Sequence, residues 1–255
     1  MPRPKMPSRG AGVRNWHVLA LFRSARSRHK ACPRLHHNQQ IRWFGLVGSG
    51  HPINRSVATA FQVRSQPIRM LAMEIESTAI DNVLIIRPKR FEDARGFFAP
   101  IYRHADLRAA GAGHDWVQEN QSRSSRTGTV RGLHFQRPPF SQAKLVRVVR
   151  GAALDVCVDL RRGSPTFGRH LAVELSAENL AQVYVPPGFA HGFCTLTDDV
   201  DVLYKVSAPW SPEHEGGLMW NDPELGISWP VSADRAVISL RDQNWPSFAS
   251  FLQTA

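Results

Sequence analysis

From about residue 74 onward, apolar and polar residues exchange places with a period of two, in short runs separated by turn residues. NVLIIRP, GFFAPIY, TVRGLHF, KLVRVV, AALDVCVDL, HLAVELS, QVYVPP, GFCTLT and DVLYKVS are rich in Val, Leu, Ile and aromatics, with Arg-Gly, Gly-Ser-Pro, Pro-Pro-Gly and Asp-Asp between them. Such side chains suit a pleated, half-buried surface. Within AALDVCVDL, Leu154, Val156, Val158 and Leu160 share one face and Ala153, Asp155, Cys157 and Asp159 the other. Only HADLRAAG and SAENLAQ carry a helical pattern. Many short strands with Gly- and Pro-bearing turns predict an all-β domain, a sandwich or barrel.

Charge divides the chain where this pattern begins. Residues 1–73 contain thirteen Lys or Arg and no Asp or Glu, whereas the remainder carries 19 basic and 21 acidic residues. The net charge of +11 therefore belongs to the first segment and says nothing of the partners of residues 74–255. Residues 1–73 are expected to be a basic extension, disordered for want of apolar material to bury. Three further readings stand beside that one: a transit-type leader, a basic tail for nucleic acid, or a stretch upstream of the true start at Met70 or Met73. No apolar run approaches the roughly 18 residues of a membrane span, so no membrane segment is predicted. Cys32, Cys157 and Cys194 are an odd number without metal-ligand spacing. They fit reduced thiols in a cytoplasm, with small strand residues the expected role of Cys157 and Cys194.

The chemistry gathers around VRGLHFQ. His134 follows Arg131 by three residues and precedes Lys144 by ten. On pattern alone a strand histidine is a structural group. With two cations nearby it also suits a base acting on an anionic carbon acid.

FEDARGFF, QENQSRSS, VRGLHFQ, QAKLVRVVRGAALDVCVDLRRGSPTFG, VYVPPGFAHGF, VLYKVS and WNDPELGISWP together, in this order and spacing, resemble the dTDP-4-dehydrorhamnose 3,5-epimerase family over about residues 74–245. The resemblance implies a cupin-type jelly roll and a cofactor-free reaction. A nucleotide-linked 4-keto-6-deoxyhexose loses protons at C3 and C5, both alpha to the carbonyl, and regains them on the opposite face. It implies His134 as base, Asp242 as the carboxylate that orients it, Lys144 as the cation at the C4 oxygen, and Tyr204 as the acid across the ring. It further implies Arg131 and Arg95 as diphosphate contacts and Phe98 as an aromatic stacked on the base from an element that reaches a neighbouring subunit. Gln118, Asn120 and His191 would line the site. Many cupins hold a metal through an HxH pair, but the corresponding stretch here is His134-Phe135-Gln136. Phe cannot ligate, and His134 and His191 alone are too few soft donors; no metal is expected.

Two positions depart from the family pattern. Trp210 stands where a second aromatic hydroxyl is common, six residues after Tyr204, and Ala99-Pro100 stands where a glutamate often follows FF. Both bear on the substrate pocket. The expectation is a cytoplasmic homodimer acting on a dTDP-sugar, with neither nucleic acid nor membrane as partner. Epimerisation at C3 or C5 only, or a non-catalytic nucleotide-sugar-binding cupin, are the alternatives.

Overall fold

The computed structural model of the chain describes residues 73–254. Apart from Met73, the basic extension and its expected disorder lie outside the described residues. The strands are β1 (Met73–Ser77), β2 (Leu84–Pro88), β3 (Phe91–Asp93), β4 (Gly96–Phe98), β5 (Gln118–Ser124), β6 (Val130–Gln136), β7 (Lys144–Arg150), β8 (Ala152–Asp159), β9 (His170–Ser176), β10 (Gln182–Val185), β11 (Phe189–Thr195), β12 (Val200–Val206) and β13 (Glu215–Gly217). Helix α1 (His104–Ala109) precedes β5, and a 3₁₀ turn (Asp242–Asn244) and helix α2 (Phe248–Thr254) follow β13.

The strands form a six-stranded sheet, β1-β2-β10-β7-β12-β5, a five-stranded sheet, β13-β6-β11-β8-β9, and a separate β3-β4 hairpin. Every ladder is antiparallel. Ile85, Val146, Val148, Val183, Val185, Val200 and Val202 of the first sheet meet Ala153, Cys157, Leu175, Phe189 and Phe193 of the second in one buried cluster. This is the filling of a double-sheet jelly roll.

β8 shows why the alternation was so clean. Ala153 and Cys157 point into the space between the sheets, while Val156 and Val158 join Leu133, Phe135 and Ala190 against Leu218, Leu225, Phe248 and Phe251 from the C-terminal part of the chain. Both faces of the strand are dry. Burial raises the thiol of Cys157, and it raises that of Cys194 to about 11; both are free. On the other side, α1 packs Leu107 over Leu84, Ile86, Leu145 and Tyr184.

SAENLAQ is not a helix. Asn179 accepts hydrogen bonds from the backbone N–H groups of Ser176 and Ala181, and Ser176 Oγ accepts from Asn179 N. These side chains satisfy the backbone locally and close a turn between β9 and β10. GFFAPIY is strand only as far as Phe98, for Pro100 has no N–H to give a ladder. β5, with the polar sequence QENQSRS, carried no apolar signal.

Candidate active site

One irregularity organises the site. On β6 and β11, Arg131 pairs with Phe193 and His134 with His191, so three steps on one strand match two on the other. Residues three apart on a regular strand face opposite ways. The extra residue at Gly132 and Leu133 is a bulge, and it lets Arg131 and His134 line one cavity while Val130, Leu133 and Phe135 stay in hydrophobic clusters. Gly132 has φ +122°, and a Cβ there would lie 2.6 Å from the Cα of Gly192 and 2.8 Å from the carbonyl oxygen of His191. Only glycine allows the two strands to approach so closely.

His134 Nε2 is 2.7 Å from Asp242 Oδ1. With Nε2–H donating to this carboxylate, the other ring nitrogen holds the lone pair. Asp242 comes from the 3₁₀ turn and also accepts from Gly132 N–H at 3.3 Å and Trp245 Nε1–H at 3.3 Å. Burial works to raise its carboxyl, but the His134 bond and these donors outweigh it and hold Asp242 below the ordinary carboxylate value. Trp245 stands edge-on to the His134 ring with centroids 6.1 Å apart, packed on Gly217.

Lys144 and Tyr204 enter from β7 and β12 of the opposite sheet. Lys144 is buried, and its ammonium donates to the His134 carbonyl oxygen at 3.4 Å. Burial lowers it to about 8, against Asp155 and Glu215, which act to keep it charged. Tyr204 is raised, chiefly by burial, so its phenol carries its proton at neutral pH.

Two adjoining cavities share His134, Lys144 and Tyr204 in their walls. The larger, about 520 Å³, adds Arg131, Arg241, Ser122 and His191. The smaller, about 310 Å³, adds Gln118, Asn120, Trp210 and Glu215. A base, a buried cation and a protonated phenol thus surround one space, with guanidinium groups to one side. That set can take a proton from carbon, hold an enolate and return a proton from another direction.

His191 is 2.9 Å from Asp155 Oδ2, and both are buried. Gln118 donates to Asn120 at 2.7 Å, and Trp210 donates its indole N–H to Glu215 at 3.0 Å. Arg95 and Phe98 do not join them within the chain. They stand on the β3-β4 hairpin, Arg95 paired with Asp93 and Phe98 64% exposed.

Asp155, Ser122, Glu215, Arg241 and Trp245 were not singled out from the sequence. Asp155 had a signal, as one of two acids, with Asp159, in a strand of otherwise apolar residues. Ser122 had one only in hindsight: its Oγ is buried on the cavity wall and has no hydrogen-bond partner among the described residues. Glu215, Arg241 and Trp245 stand in irregular or very short elements, where no periodicity points to a site. Among the described residues no group of three or more His, Cys, Asp or Glu is placed to hold a metal ion, and no helix is long and apolar enough to cross a membrane.

The family model for dTDP-4-dehydrorhamnose 3,5-epimerase matches residues 77–250. The chain belongs to this family. It is 51% identical over 175 residues to a dTDP-4-dehydrorhamnose 3,5-epimerase of Sinorhizobium fredii, covering 69% of this chain and 89% of that protein. Among solved structures, the dTDP-4-dehydrorhamnose 3,5-epimerase of Bacillus anthracis with TDP and PPi bound is similar at 45% identity and a TM-score of 0.67, covering 69% of this chain and all of that one. The Legionella pneumophila dTDP-6-deoxy-D-glucose-3,5-epimerase in complex with dTDP-4-keto-L-rhamnose is similar at 41% identity and a TM-score of 0.65, covering 69% and 92%. The cupin-type fold and the epimerase family expected from the motifs are both borne out.

Proposed function

We propose that this epimerase inverts C3 and C5 of dTDP-4-dehydro-6-deoxy-D-glucose to give dTDP-4-dehydro-L-rhamnose. The observation that carries the reading is the convergence of His134, Lys144 and Tyr204 on the shared wall of the two cavities, in a chain of this family. His134 takes the proton from the ring carbon, and the electron pair of that C–H bond moves into an enolate whose oxygen is held by Lys144. Tyr204 then gives its phenolic proton to the opposite face of the same carbon and recovers one from solvent. Asp242 holds the His134 ring and stabilises its imidazolium. Arg131 supports the diphosphate, and Gln118, Asn120, His191 and Trp210 line the sugar and nucleotide space.

Incubation with the 4-keto sugar in deuterated water tests this: deuterium should enter at both C3 and C5 with inversion. A specific observation favours a second reading. Trp210 has no hydroxyl, and its N–H is committed to Glu215, so inversion at one carbon only is the alternative. Deuterium and inversion at a single carbon would select it.

The epimerase is further proposed to be a cytoplasmic homodimer in which each β3-β4 hairpin brings Arg95 and Phe98 to the neighbour's site. Support comes from the hairpin itself, a separate two-stranded sheet with Phe97 and Phe98 exposed, and from the free thiols of Cys157 and Cys194. Mixing a His134→Ala chain with an Arg95→Ala chain should restore activity, because one site of the mixed dimer carries neither change. Residues 74–255 are proposed as the whole catalytic domain. A chain shortened to begin at Met73 should turn over like the full one, and loss of soluble protein would refute that.

A further inference from the structure

Glu215 takes no part in the proton transfers set out above, yet it is bonded to both sides of the site. Its side chain is 14% exposed at the start of β13, opposite Gln136 on β6. One carboxylate oxygen accepts the Trp210 indole N–H at 3.0 Å, and the other pairs with the Arg241 guanidinium. Arg241 directly precedes Asp242 and lies 5.2 Å over the ring of Trp245, which itself donates to Asp242. A single carboxylate therefore holds the Trp210 wall of the smaller cavity and the segment that carries the partner of His134. It lines that cavity together with Lys144 and Tyr204.

We propose that Glu215 is a positioning residue of the epimerase: by clamping Trp210 and Arg241 it fixes the turn that bears Asp242, and it sets a carboxylate beside Lys144 and Tyr204 in the smaller cavity. This rests on the reading of the site as an epimerase centre. Lys144 can take up enolate charge only as an ammonium, and Tyr204 can return a proton only as a phenol. The ionisable groups around them are Asp155 from β8, Glu215 from β13, Arg131 and His134 from β6, His191 from β11, Arg241 just before the 3₁₀ turn and Asp242 within it. Burial lowers Lys144, and Asp155 and Glu215 act the other way. For Tyr204, burial raises, Arg131 lowers and Glu215 raises. Of these carboxylates, Asp155 is bonded to His191, Asp242 to His134 and Glu215 to Trp210 and Arg241, and Glu215 is the one that acts on both Lys144 and Tyr204. Trp210 offers this carboxylate an indole N–H, a donor that does not ionise.

Glu215→Gln keeps the shape and the acceptor for Trp210 but removes the charge. Two readouts apply: the titration of the Lys144 amine by NMR in the free protein, and the pH profile of kcat with the 4-keto sugar. Lys144 should titrate lower, and the alkaline limb of kcat should fall by about one pH unit, which is on the order of tenfold at pH values above the limb and little change near pH 6.5. Glu215→Asp, which keeps the charge, should retain the limb and change KM instead. Wild-type titration and profile in Glu215→Gln, or the same shift in Glu215→Asp, would reduce Glu215 to a structural ion pair. If Glu215→Gln does not fold, Trp210→Phe decides: with Glu215 relieved of that donor and no charge removed, Lys144 should titrate higher, and an unchanged or lower titration overturns the proposal. A wild-type protein that fails to epimerise would sink the functional reading instead, while the Lys144 titration would still judge Glu215.

Discussion

Two histidine–carboxylate pairs sit side by side on β6 and β11, His134 with Asp242 at 2.7 Å and His191 with Asp155 at 2.9 Å. The two histidines are cross-strand neighbours. Their chemistry as residue types is identical and their surroundings are not. The His134 side chain is 31% exposed to the cavity, whereas His191 is 8% exposed and its carboxylate 2%. A base must reach its carbon acid and exchange its proton with solvent between turnovers. A sealed pair instead presents a fixed polar surface and an anion that helps hold Lys144 charged. The origin of each carboxylate differs as well. Asp155 lies in the middle of a dry strand, while Asp242 is delivered by a short turn 108 residues away from His134 along the chain.

The sharpest test of this contrast removes each histidine in turn. His134→Ala should lower kcat by about 10²–10⁴, far more than the cost of about 1–3 kcal/mol in stability from leaving Asp242 buried without that partner can account for in a protein that stays folded. Loss of similar size in His191→Asn would erase the distinction between the two pairs.

Next in size is the separation of deprotonation from inversion. Tyr204→Phe should cut inverted product on the order of 10²-fold while solvent deuterium still enters the sugar from the His134 side. Native-rate inversion in that variant would make Tyr204 a packing residue and move the acid elsewhere.

A third test asks whether carboxylates of β8 serve stability. Asp159, fully buried at the end of the strand, is taken to about 2: burial raises it, and hydrogen bonds from Arg161, Ser164 and Thr166 more than offset that. Its folded value is thus below its unfolded one. The stabilisation is present above about pH 4 and is lost as pH falls towards 2, to the extent of about 2–3 kcal/mol. Urea unfolding at pH 5 and pH 2.5 should show the loss, and Asp159→Asn should flatten it.

The smallest expected effect belongs to His191 itself. His191→Asn should lower kcat by about tenfold or less and cost about 1–3 kcal/mol of stability, because Asp155 is left buried with a poorer partner. A melting curve together with a rate measurement separates the two losses.

Much of the fold was legible because burial is two-sided. In β8 the apolar residues of both faces are required, one set between the sheets and one against the C-terminal part of the chain, so the strand could be read directly from its residues. β5 was not legible as a strand for the opposite reason. Its inward positions Gln118, Asn120 and Ser122 face the cavities, and a strand that lines a polar site loses the alternation by which strands are recognised. SAENLAQ misled because helix-compatible residues were captured by the side chains of Ser176 and Asn179.

The sequence by itself determined the residue types available to the site and, through period-two burial, the strands that carry them. His134, Lys144 and Tyr204 could be named from their motifs, and the family with them. Only the tertiary structure decided which of them face one another. Arg131 and His134, three residues apart, point the same way because a bulge at Gly132 adds a residue against β11, and that bulge exists only where Gly132 and Gly192 let two backbones approach. Likewise Glu215, Arg241 and Trp245 acquire a role from being packed around Asp242. Local pattern records which face a side chain takes on its own strand, whereas charge proximity and burial arise between segments far apart in the chain.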